Sequence, residues 1–207
     1  MIWETLGHIP TPQLAAFVAG GLVLNFAPGQ DVFFATACGL QGGPRAGALA
    51  GLGVGMGVVA HVLMATLGLG ALIAAHPGAL AAIKWIGAGY LLWLAWKSWH
   101  AAPQGAARGA VRPWNVIRRG ALSNLLNPKP VLFLLAFLPQ FTNPAWGPVW
   151  QQILGLGLIF AFTGTLVTMG YGIVGGIAGG VIGKRLGMVN KIAAVMFAGL
   201  ALRLVWK

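Results

Sequence analysis

Long apolar runs separated by short clusters of glycine, proline and basic residues dominate the chain. A helix needs about 20 apolar residues to cross the roughly 30 Å hydrocarbon core of a bilayer, and several segments reach that length. The first runs from about Gln13 to Leu40, is interrupted near Asn25 to Asp31, and ends in the turn Gln41, Gly42, Gly43, Pro44. The second runs from about Ala46 to Ala75, and the third from about Ala79 to Trp99, with Trp85, Tyr90, Trp93, Trp96 and Trp99 as interfacial anchors. A polar stretch from His100 to Arg119 is the one credible linker. The fourth span, from about Gly120 to Phe141, is broken by Asn127, Pro128, Lys129 and Pro130. A fifth runs from about Gly147 to Ile173, and after a glycine-dense segment and Lys184 and Arg185 the last extends from about Met188 to Trp206. The pattern predicts an all-α integral membrane protein of about six transmembrane helices in a single domain, residues 1–207.

Sliding the chain by 100 residues pairs Pro28 with Pro128, Phe33 with Phe133, Pro44 with Pro144 and Gly47 with Gly147. Repeat one then covers about 12–100, the cytoplasmic linker about 100–117 and repeat two about 118–207. Three spans per half is an odd number, so the halves lie inverted in the membrane, with broken first and fourth helices. Secondary transporters are commonly built this way, with the substrate site near the midplane at the breaks.

Composition agrees with a bilayer as solvent. Residues are 58% hydrophobic and 7% charged, against about 25% charged in soluble domains. Only Glu4 and Asp31 are acidic, and thirteen Lys and Arg give a net charge of +11. A nucleic-acid partner does not follow, because the bases are scattered between apolar runs and form no single basic face. With the N-terminus outside, the cytoplasmic side receives Arg45, Lys97, Arg108, Arg112, Arg118, Arg119, Lys184, Arg185 and Lys191, and the other side only Lys84, Arg203 and Lys207. This imbalance predicts both termini on the non-cytoplasmic side. Cys38 is the lone cysteine, and the N-terminus lacks the basic region of a cleavable signal, so it reads as a retained first span.

The candidate chemistry gathers at the breaks. Asp31 is the only acid inside a predicted span, where a charge costs at least about 2.5 to 3.5 kcal/mol; it either carries a proton or a substrate group, or faces a cytoplasmic vestibule, or caps the half-helix that follows Pro28 and Gly29. Lys129 lies ten residues beyond Arg119, roughly 15 Å deep, and is either a counter-charge to Asp31 or to a substrate carboxylate, or a lysine reaching out along a wet crevice. Asn25, Gln30, Asn124 and Asn127 surround the breaks, where their amides either satisfy carbonyls freed by proline or bind substrate. His61, among Gly and Ala, is an interhelical hydrogen-bonding residue or a contact for substrate or protons. The glycines from Gly51 to Gly57 and the later glycine run read as close helix packing, with dimerisation through small-residue faces open. Thr163, Thr165, Thr168 and Tyr171 either line a polar path or, for the threonines, bond back to their own helix.

Paired-carboxylate chemistry, a cysteine or histidine metal cluster, a phosphate-binding loop and a nucleophile elbow are all missing from the sequence, so neither an enzyme nor a cofactor or metal is expected. A passive pore lined by the same breaks, or a membrane scaffold subunit, remain as alternatives to a transporter.

Several local motifs resemble the LysE/RhtB family of amino-acid exporters. They are Asn25-Phe26-Ala27-Pro28-Gly29-Gln30-Asp31, the Arg45-Ala46-Gly47 entry to the second span, and Lys84, Trp85, Gly87, Ala88, Tyr90, Leu91. Arg119-Gly120, Asn124-Leu125-Leu126-Asn127-Pro128-Lys129 and Leu135 to Phe141 continue the likeness over nearly the whole chain. The resemblance implies export of amino acids or close derivatives from the cytoplasm of a bacterial cell through its inner membrane, by exchange with protons. The family's first break usually reads Pro-Gly-Pro; here Gln30 stands in place of the second proline, which implies a gentler first break.

Overall fold

The computed structural model describes residues 2–75 and 112–178 continuously, and separate helical positions between 85 and 100 and between 191 and 202. All regular structure in this part is helical. A short helix α1 (Ile2–Gly7) leads into α2 (Thr11–Phe26), which stops before Pro28. After the non-helical residues 27–29 the chain enters α3 (Gln30–Ala75), whose course is interrupted at Gly43 with φ 79° and ψ −179°. That positive φ suits glycine, and with Pro44 it separates a first arm, residues 30–42, from a second, residues 44–75. Helix α4 (Pro113–Leu125), α5 (Pro128–Phe137), two short 3-10 turns (Leu138–Phe141 and Pro144–Trp146) and α6 (Val149–Ala178) complete the described part.

Both interruptions fall where the sequence places them. The first takes three residues, 27–29, and the second two, 126–127, so the first break is the wider of the two. Gln30 is already the first helical residue of α3, so it does not bear on the length of the gap. A correction concerns the fourth span: its helix starts at Pro113, not near Gly120, with proline at the first helical position where the missing N–H costs nothing. Charged Arg118 and Arg119 dilute the hydropathy of this first turn and a half without breaking the helix. The third and sixth spans, the linker between 101 and 111, and Lys84, Lys184 and Arg185 lie outside the described residues, apart from the scattered helical positions.

Among the described residues two stretches, Gln30–Gly68 and Val149–Ile177, are long and apolar enough to cross a membrane. Helix α2, at 16 residues, is about 24 Å long and falls short alone, as does α5. Broken helices escape a length test because each half is measured separately.

Helix α6 is the spine. It runs antiparallel to the second arm of α3, with a side chain added at Gly47, Gly51, Gly55 or Gly157 meeting Gly172, Met169, Thr165 or Val62 respectively. Alongside α2 and the first arm of α3 it runs parallel, pairing Gly21 with Phe160, Asn25 with Gly164 and Thr36 with Gly175. Among the described residues Gly51, Gly53, Gly55, Gly57, Gly172, Gly175 and Gly176 therefore serve close packing within the chain, while Gly179, Gly180 and Gly183 lie outside the described residues. Helix α4 lies against the second arm of α3, Ile117 on Gly53 and Asn124 on Gly57. Phe17, Phe133, Phe137, Phe141 and Phe160 form a buried aromatic cluster joining α2, α5, the following 3-10 turn and α6, with ring centroids 4.6–6.1 Å apart. Beyond it, fully buried Gln152 ties the 143–147 turn, donating to the Asn143 and Gly147 carbonyls at 2.9 and 2.8 Å and accepting from the Asn143 N–H at 3.0 Å.

Candidate functional site at the two helix breaks

The two broken spans run antiparallel. Lys129 meets the first break, while eight residues on, Phe137 packs against Phe17, deep in α2. Each break thus lies beside the other, although about a hundred residues separate them.

A break leaves backbone groups without helical partners, and these need polar company away from water. At the end of α2 the company comes from elsewhere. Lys129 Nζ donates to the Ala27 carbonyl at 2.7 Å, and Tyr171 Oη on α6 donates to the Phe26 carbonyl at 3.0 Å. Cations suit this position because the helix dipole is negative at its C-terminus. The second break is served by its own residue: Asn127 Oδ1 accepts from the Lys129 N–H at 3.0 Å, a side-chain cap for α5.

Asp31 stands in the first turn of α3 and faces the end of α4. Its Oδ2 accepts from Asn124 Nδ2 and from Asn127 Nδ2, both at 3.0 Å, while Oδ1 is buried with no hydrogen-bond partner among the described residues. Gln30 reaches the same helix from outside, donating to Ser123 Oγ at 3.0 Å and to its carbonyl at 3.3 Å. Asn25 turns the other way, donating to Thr163 Oγ1 at 3.1 Å and to the Phe160 carbonyl at 3.4 Å on α6. His61 Nε2 lies 3.0 Å from the Asn124 carbonyl.

Between these groups is a small cavity of about 30 Å³, lined by Leu24, Asn25, Asp31, Val58, Lys129 and Phe160 with Thr168 on its α6 side. Such a volume takes one or two waters. It carries one acid, one base and a mostly aliphatic wall. Phe160 also belongs to the aromatic cluster, which closes the cavity toward the end of the molecule that holds α1. At the far end lie the exposed residues Arg45, Arg112, Arg118 and Arg119.

The polar residues singled out at the breaks take part in this junction together with His61, but not in equal ways. Asp31, Lys129 and Asn25 line the cavity; Asn124 and Asn127 hold Asp31; Gln30 is exposed, and His61 stands behind Asn124. Pro28 and Gly29 form the first break, with Lys129 Nζ 3.3 Å from where a side chain on Gly29 would begin, and Pro128 and Pro130 sit in the first turn of α5. Ser123 went unnoticed in the sequence, where a lone serine beside Asn124 carries no signal of its own. Thr163 and Thr165 bond back to the Ile159 and Ala161 carbonyls at 3.0 and 2.7 Å, as threonine in an apolar helix usually does. Tyr171 gains weight as a partner of the first break.

Comparison with known proteins places the chain. The family model described as LysE type translocator matches residues 22–207. An uncharacterized membrane protein of Vibrio cholerae is 33% identical over 189 residues, 89% of this chain and 92% of that one. The homoserine/homoserine lactone efflux protein of Salmonella typhi is 32% identical over 166 residues, 75% of this chain and 77% of its own length. A leucine efflux protein of Klebsiella pneumoniae is 30% identical over 131 residues, 61% and 62% of the two chains. No solved structure matches. With a family match over nearly its whole length, and relatives that are membrane and efflux proteins, this chain belongs to the LysE family of membrane translocators.

Proposed function

We propose that the protein is a secondary active exporter of amino acids or close derivatives across the cytoplasmic membrane, working by exchange with protons. The observation that carries this reading is the meeting of the breaks: a carboxylate from one and an ammonium from the other line one small cavity. Efflux of homoserine and leucine by relatives points to the same substrate class. A zwitterion matches such a pair. Its carboxylate takes Lys129 Nζ from the Ala27 carbonyl, and its ammonium group meets Asp31 Oδ1, the oxygen that the asparagines leave open. Proton binding at Asp31 from outside then removes the charge that holds the ammonium, and the substrate leaves outward.

A cavity of about 30 Å³ is too small for an amino acid, so loading requires the walls to part. The antiparallel course of the two broken spans supports an inverted repeat of three helices per half, six spans in all. Clustering of Arg45, Arg112, Arg118 and Arg119 at the end away from the Thr5–Gln151 contact supports an orientation with that end in the cytoplasm and both termini outside. A homodimer would use surfaces other than the glycine faces of α3 and α6, which are occupied within the chain.

The test is export from proteoliposomes of labelled amino acids under an imposed proton gradient. Asp31→Asn is expected to abolish gradient-driven transport while the protein still inserts. Normal gradient-driven export by that variant overturns the proton-carrier role, and leakage of many solutes without regard to pH selects the pore.

A further inference from the structure

We infer that His61 is a positioning residue of this site, clasping the end of α4 so that Asn124 stays on the Asp31 carboxylate; the inference rests on the proton-carrying role proposed for Asp31. His61 is 3% exposed and lies one helical turn beyond Gly57 on the second arm of α3. Gly57 makes the seat: a side chain there would begin 2.7 Å from Asn124 Cβ and 2.8 Å from its Oδ1. His61 makes the clasp, with Nε2 3.0 Å from the Asn124 carbonyl. Glycine and histidine four residues apart share one helix face, and both address the same asparagine.

The partner settles which ring nitrogen donates. A carbonyl only accepts, so Nε2 carries the hydrogen of this contact. The Asn124 carbonyl also accepts from the Asn127 N–H at 2.9 Å, so both its lone pairs are engaged at the point where α4 ends. From this fixed turn the side chains of Asn124 and Asn127 reach the same oxygen of Asp31. Histidine therefore touches neither the cavity nor the carboxylate, and acts through the main chain of Asn124. Among the described residues the titratable groups at the junction are Asp31 and His61 from the two arms of α3, Lys129 from α5 and Tyr171 from α6; α2 brings only Asn25.

A clasp makes a prediction that a mere filler does not. Leucine fills the space and cannot donate; glutamine donates from nearly the Nε2 position; asparagine donates but falls short. In proteoliposomes, export as a function of pH is expected to fall about tenfold in His61→Leu, with its pH midpoint moved upward by about one unit, because a loosened Asn124 no longer favours the charged carboxylate. His61→Asn is expected to behave like leucine, and His61→Gln to stay within about twofold of the parent with an unmoved midpoint. In an Asp31→Asn background, His61→Leu should add no further loss of substrate-induced thermal protection, since the two changes act on one contact. Equal losses in the Leu, Asn and Gln variants with an unmoved midpoint, or no loss in any, overturn the clasp. A parent pH response that survives Asp31→Asn overturns the underlying proton role instead, and is read separately.

Discussion

The two helix breaks look alike in sequence and are built on opposite plans. At the second, Asn127 caps its own helix and the chain resumes after two residues. At the first, three residues leave the helix and the exposed carbonyls of Phe26 and Ala27 are taken by side chains of α6 and α5. The second break supplies its own helix cap, while the freed carbonyls of the first are both taken by distant residues. Any shift of α5 or α6 must therefore be felt at the first break, and substrate that draws Lys129 away would change that break directly. The second break is the fixed tool and the first is the part that responds.

The largest expected effect comes from removing the group that joins them. Lys129→Met leaves the Ala27 carbonyl without its ammonium donor and should lower stability by about 2 kcal/mol while cutting export at least about a hundredfold, read by thermal unfolding in detergent and by proteoliposome transport. Asn127→Ala attacks the self-capped break, losing a helix cap and one donor to Asp31 together. A loss of about 2 kcal/mol is expected in thermal unfolding, and a smaller loss would mean that the Asn127 cap contributes little to holding the second break. Tyr171→Phe withdraws one donor from the Phe26 carbonyl and should cost about 1 kcal/mol; its effect on transport should exceed that of Thr165→Val, which removes only a bond within α6. Gln30→Pro restores the second proline at the first helical position of α3. A stability change within about 0.5 kcal/mol is expected, since proline is tolerated there and Gln30 is exposed.

The sequence located these breaks well because proline and glycine act locally. Pro28-Gly29 and Asn127-Pro128 dictate backbone behaviour without knowledge of the rest of the fold. The pairing across them was a different matter. Asp31 and Lys129 stood out as charges in an apolar chain, but no local signal shows that Asn124 and Asn127 would turn to Asp31, or that Lys129 would donate to the carbonyl of Ala27. Those contacts follow from the antiparallel crossing of two spans over nearly a hundred residues of separation. The start of α4 was misplaced for the reverse reason: hydropathy gave weight to Arg118 and Arg119, whereas the proline at position 113 marked the helix start. His61 was legible as an interhelical residue, and only the fold shows that its partner is a main-chain carbonyl.

The carbonyl of Gly172 has a consequence for how the sequence is free to drift. A side chain on Gly39 or on Gly47 would run into that oxygen, and one on Gly172 would run into the Gly47 carbonyl. Three backbones meet there with no room for a methyl group. Every amino-acid replacement at these codons adds atoms, so the ancestry of this junction admits silent changes and little else. Exposed positions on the same helices, such as Met56 and Phe162, carry no such constraint and can exchange one apolar residue for another.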